Sequence, residues 1–109
     1  MSVKLEILSA NDSLQNLQTA AQQTEALGFE LITIARGVVS GQPANLLSLR
    51  KRTPGDAPRQ LTLLEVGKSL SLQNQENKVK AEESDSKKLI SYGAAFVQNE
   101  ETMIAAYRG

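Results

Sequence analysis

The chain reads as a single α+β domain: a mainly antiparallel sheet of about five to seven strands with one helix packed on it. Three observations carry that reading. Short runs rich in Val, Ile, Leu and Phe recur along the chain, bounded by clusters of Gly, Pro, Ser and Asn. One stretch has the three- and four-residue apolar spacing of a helix, with its own start and stop signals. The 109 residues, 40% of them apolar, suffice for one modest core, and folding a chain of this size buries about 60–70% of its unfolded surface.

Met1 to Ala10 forms the first strand, with Val3, Leu5 and Ile7 alternating against Lys4 and Glu6. A helix follows over about residues 13–27. Asp12 or Ser13 can cap it, and Leu14, Leu17, Ala21 and Thr24 make its apolar stripe. Gly28 stands where a left-handed helix end wants glycine. "FELITIARGVV" is then a central strand, "SGQP" a turn and "ANLLSLRKR" a partner strand. "TPGDAPR", residues 53–59, joins the halves 1–52 and 60–109 of one domain spanning 1–109.

In the second half, Leu61, Leu63 and Val66, then Leu70 and Leu72, bracket Gly67-Lys68, a pattern for a hairpin. Residues 74–88 carry few apolar side chains. Opposite charges four apart (Glu76–Lys80, Lys78–Glu82, Glu83–Lys87) suit an exposed helix, and a mobile loop fits equally. "LISYGAAFVQNEETMIAAYRG" closes the chain as a hairpin turning at Asn99 to Glu101. A ferredoxin-like layout is one way to arrange these elements. Leu31-Ile32 and Leu89-Ile90, like Arg50 and Arg108, stand 58 residues apart, but further matches are poor and the reading here is coincidence.

Lys plus Arg equals Asp plus Glu, twelve each. Neutrality argues against a dedicated nucleic-acid binder and gives no attraction to anionic membranes. There is no cysteine, histidine or tryptophan. That removes disulfides, thiolate chemistry, the commonest general base and the commonest transition-metal ligand, so no cofactor or metal is expected. No run approaches the roughly 20 apolar residues of a membrane span, and the N-terminus lacks a signal-peptide pattern, so the expectation is a cytoplasmic protein with no membrane insertion.

The stretch 3–52 resembles a group of small bacterial domains of unknown function. Gly28, Phe29, Glu30 and Leu31, then Leu47, Leu49 and Arg50, carry the resemblance. It covers about half of the chain, and any helix end leading into a central strand gives much the same pattern. That group usually has tryptophan where Phe29 stands. The resemblance implies a strand–helix–strand–strand unit and fixes no activity. The helix-to-strand stretch is also similar to the small linker domains of cyanobacterial light-harvesting antennae, which are typically basic where this chain is neutral.

Three sets of residues are candidate sites. Glu30 and Arg36, six apart on one strand and therefore on one face, could line a pocket. Solvent-facing charges on an amphipathic sheet explain them better. Arg50, Lys51 and Arg52, with Arg59 near, could contact an anion. A charged strand end that blunts a sheet edge explains them better. "ISYGAAFV" has no charge; Ile90, Tyr92, Ala95, Phe96 and Val97 fit either a subunit interface or a central strand.

The functional expectation is a non-catalytic interaction or assembly protein, bacterial, that binds a protein partner or itself as a homodimer through a sheet edge or an apolar strand surface. The alternatives are a small-molecule-binding protein or histidine-free enzyme with a pocket between helix and sheet, and a nucleic-acid accessory using Arg50 to Arg52.

Overall fold

The computed structural model describes residues 3–55 and 60–109. The elements are β1 (Val3–Ser9), α1 (Leu14–Ala26), β2 (Phe29–Val39), β3 (Gln42–Lys51), β4 (Leu61–Glu65), α2 (Leu72–Glu82), β5 (Lys88–Val97) and β6 (Glu100–Arg108). The protein is α+β, with six strands among the described residues and every pairing between them antiparallel. The strands divide over two three-stranded sheets, β1-β3-β2 and β4-β6-β5.

The first half follows its sequence signals. The Ser13 hydroxyl accepts the Asn16 N–H at 3.1 Å and starts α1. Gly28 ends it at φ 101°, a left-handed conformation, with its N–H on Glu25 O at 3.1 Å. The β2–β3 turn is Ser40-Gly41, both at positive φ (52° and 79°), the two-residue geometry that matches strand twist. Gln98-Asn99 (52° and 66°) makes the same turn between β5 and β6, one residue earlier than the sequence suggests. The proline-rich joint at 53–59 lies partly outside the described residues.

The expected hairpin at Gly67-Lys68 does not form. Gly67 turns the chain at φ 95°, and Ser71 caps a helix by accepting the Asn74 N–H at 3.2 Å. The alternation of Leu70 and Leu72 thus spans a helix start, not a strand. Of the two readings open for 74–88, the helix is right over most of the span. α2 buries only Val79 of its own side chains. Two tyrosines hold it from the sheet: Tyr107 Oη donates to Val79 O at 3.0 Å, and Tyr92 Oη donates to Gln75 Oε1. Of the three expected charge pairs, Glu76–Lys80 forms at 2.7 Å, while Lys87 turns to Glu82 at 2.6 Å and Lys78 reaches Val66 O at 3.4 Å.

The chain is β-α-β-β twice over, and the reading of the 58-residue match as coincidence is overturned. Helix caps Ser13 and Ser71 stand 58 apart. So do the bulges, between Leu31 and Thr33 in β2 and between Leu89 and Ser91 in β5. So do both hairpin turns. Glu25 Oε2 accepts the Leu31 N–H at 2.8 Å, and Glu83 Oε2 accepts the Leu89 N–H at 2.9 Å, a bond repeated 58 residues on.

Each sheet has a face toward its own helix and an outer face. Leu31, Ile34, Leu47 and Leu49 on the helix-side face of the first sheet, with Leu17 and Ala21 of α1, form one cluster with the outer face of the second sheet. That outer face supplies Leu61, Leu63, Ala95, Val97, Ile104 and Ala106. A smaller cluster of Val66, Val79, Ala105 and Tyr107 lies under α2. The halves are therefore stacked front to back, not face to face.

Candidate functional site

The stacking leaves one outer face without a cover. On β1 it is the apolar row that stands out: Val3, Leu5 and Ile7 are 50%, 66% and 57% exposed. Lys4, Glu6 and Leu8 point to the helix side and are half-buried. Polar bonds fix that orientation. Thr24 Oγ1 donates to Glu6 Oε2 at 2.9 Å, and Lys4 pairs with Glu6 at 3.3 Å. β1 is also the free edge of its sheet, paired to β3 alone. An exposed strand edge beside an apolar row is a surface that proteins ordinarily hide.

A second uncovered surface lies between α2 and β5. It is an open groove of about 380 Å³ whose apolar lining is Leu72, Val79, Leu89 and Tyr92, with the exposed Glu76, Lys80 and Glu83 along its rim. Burial raises the Tyr92 hydroxyl above the ordinary phenol value. Burial, then the carboxylates of Glu82 and Glu83, pushes Tyr107 up to about 12.

The residues singled out in the sequence scatter. The β2 bulge at Ile32 shifts the strand's period, so Leu31 and Ile34 share the helix-side face although three apart. Glu30 and Arg36 consequently fall on opposite faces and make no pocket, which corrects the expectation that they share one. Arg36 pairs with Glu101 at 2.6 Å, and Glu30 lies across from Arg50.

The basic cluster also divides. Arg52 is a structural brace, with Nη1 on Glu25 O at 2.7 Å and its own N–H on Gly28 O at 2.8 Å. Arg50 and Lys51 remain exposed, and Arg59 lies outside the described residues. In β5, Ala95 and Val97 are buried in the chain's own core and Ile90 packs against it. Tyr92 sits under α2, and Phe96 is half-buried with its backbone bound to Asn45. That stretch is a strand between the halves, and of these residues Tyr92 lines the groove beside α2.

Among the described residues the most buried charge is Glu25, 4% exposed. Arg108 Nη2 donates to it at 2.7 Å and to Leu31 O at 2.8 Å. With the Leu31 N–H, this carboxylate's Oε2 takes two hydrogen bonds, a joint between the halves. Among the described residues no group of three or more Asp or Glu gathers to hold a metal ion. No helix among the described residues is long and apolar enough to cross a membrane.

Comparisons with protein-family models, with curated proteins and with solved structures find no match for this chain. The row on β1 and the groove beside α2 were not singled out from the sequence. The alternation over 3–9 was visible, but which side faces water was set by Thr24 and Glu6 across the fold.

Proposed function

We propose that this protein is a non-catalytic assembly module that binds protein through the β1 edge and its apolar row. The observation that carries the reading is three large apolar side chains in line on a free sheet edge. A partner strand or apolar face docking there removes that row from water, at about 25 cal/mol per Å² of apolar area covered, and can use the unpaired β1 backbone groups. The buried charge at Glu25 is engaged within the chain, which leaves the surface as the place where binding free energy is available. The absence of histidine and cysteine from the sequence accords with a binding role.

The test is a photo-crosslinking amino acid at position 5, with position 100 on the β5–β6 hairpin as an exposed control. In the cells that make the protein, position 5 yields a protein adduct of defined mass and position 100 does not. Equal, diffuse labelling at both positions sinks the reading.

A further inference from the structure

The repeat says what covers the groove. Every residue lining it stands 58 places after a residue of the first half that engages the second half. Val79, Leu89 and Tyr92 correspond to Ala21, Leu31 and Ile34, all buried in the cluster shared between halves. The polar correspondences are closer. In the first half Gln18 Oε1 accepts the Leu63 N–H at 2.8 Å, and Gln22 Nε2 donates to Leu61 O at 2.8 Å, which caps the free edge of β4. Their counterparts are Glu76, an acceptor, and Lys80, a donor, on the rim of the groove. Glu25 takes Arg108 from the second half. Its counterpart Glu83 is exposed, already holding the Leu89 N–H as Glu25 holds that of Leu31.

The pieces that fill the first-half groove also have counterparts, and these too are uncovered. Leu61 and Leu63, 1% and 5% exposed, correspond to Val3 and Leu5 at 50% and 66%. Arg108 corresponds to the exposed Arg50 at the end of the same outer face. One end of the molecule thus carries an empty copy of the internal socket, and the other carries an unused copy of the internal plug.

We propose that the partner is a second copy of this chain, docked head to tail. The β1 row of one copy enters the α2–β5 groove of the next, Glu76 and Lys80 meet the backbone of β1 near Leu5 and Val3, and Arg50 pairs with Glu83. This rests on the interaction reading above and names the occupant. The interface is heterologous, so each added copy presents a fresh groove and a fresh row, and growth continues unless the rotation closes a ring. Met103 stands at the position of Asn45, so the contact between copies lacks the side-chain bridge to the strand backbone that Asn45 makes within the chain, and it is the weaker of the two.

The test uses Leu5→Lys, which blocks the row, and Leu72→Lys, which blocks the groove. Both positions are strongly exposed, and circular dichroism checks that each variant is folded. Sedimentation of the unaltered chain shows a mass that climbs with concentration past that of two copies. Each variant alone stays at one copy. An equal mixture of the two forms a complex of one copy each and stops there, because only one live row and one live groove remain. As a second pair, Arg50→Glu and Glu83→Arg each lose association and regain it when mixed.

A chain that stays at one copy throughout, or a variant that still forms dimers by itself, overturns head-to-tail docking. If position 5 nevertheless crosslinks to a different protein in cells, the interaction reading stands and only the identity of the partner falls. If neither happens, both fall.

Discussion

Asn45 is the side chain whose loss should weaken the protein most for its size. It is fully buried, and it bridges β3 to the edge of β5: Nδ2 donates to Phe96 O at 2.8 Å and Oδ1 accepts the Phe96 N–H at 2.7 Å. Asn45→Ala leaves both Phe96 backbone groups unpaired beneath the first sheet. An orphaned buried group costs about 1–3 kcal/mol, so the pair costs about 2–6 kcal/mol. For a domain of this size each kcal/mol lowers the melting temperature by about 4–8 °C, so even the lower bound gives about 8 °C.

Asn45→Asp separates the two bonds. The carboxylate still accepts from Phe96 N–H but cannot donate to Phe96 O, which now faces negative charge. Burial and that carbonyl raise the aspartate's folded value above its unfolded one. The neutral form is then favoured in the folded state, so Asn45→Asp should regain stability as pH falls through the raised value, relative to the unaltered chain at each pH. Thermal and denaturant unfolding followed by circular dichroism measure both effects. An Asn45→Ala variant melting within about 2 °C of the parent would refute the reasoning, since it would leave no room for two orphaned groups.

Tyr107 governs the alkaline limb. Its hydroxyl is raised from the ordinary phenol value of 10.0 to about 12, so between these values the folded state keeps a proton that the unfolded state has released. The stability this confers is complete below the lower value and is lost as pH climbs through the upper. Tyr107→Phe should flatten that part of the difference profile, while losing the Val79 O bond lowers stability by about 0.5–1.5 kcal/mol at neutral pH. Thr102→Val should stabilise by about 1 kcal/mol, read as a higher melting temperature, because Oγ1 of Thr102 is buried without a hydrogen-bond partner. Gly28→Ala meets nothing within 4 Å, so its cost is that of the left-handed backbone alone, about 1–2 kcal/mol by denaturant titration.

The legible parts of the fold were those set by local chemistry. α1 declared itself because cap, stripe and terminal glycine all agreed, and both real hairpins were visible because β-formers flank a short polar turn. α2 was ambiguous because its anchoring is long-range: two tyrosines from β5 and β6 hold a helix with one buried side chain. The strand period misled at Glu30 and Arg36 because one bulged residue inverts every position beyond it. The division into two sheets has no local signature at all.

The repeat was obscured for a reason the packing supplies. Had the halves met about a twofold axis, equivalent residues would be equally buried. Leu5 and Leu63 differ by 66% against 5%, so the halves meet through different faces. Each face then answers to its own surroundings. The helix-side positions Leu17, Leu47 and Leu49 face the other half, and their counterparts Gln75, Ala105 and Tyr107 face a lone helix and solvent. Backbone devices, the caps, bulges and turns, answer only to the chain itself and remain in register. The similarity therefore survives in geometry where it has faded in side-chain identity. The side chains that still correspond in chemistry are the ones to weigh. Arg50 and Glu83 repeat an ion pair that the chain uses internally, and at these positions it joins nothing within one copy.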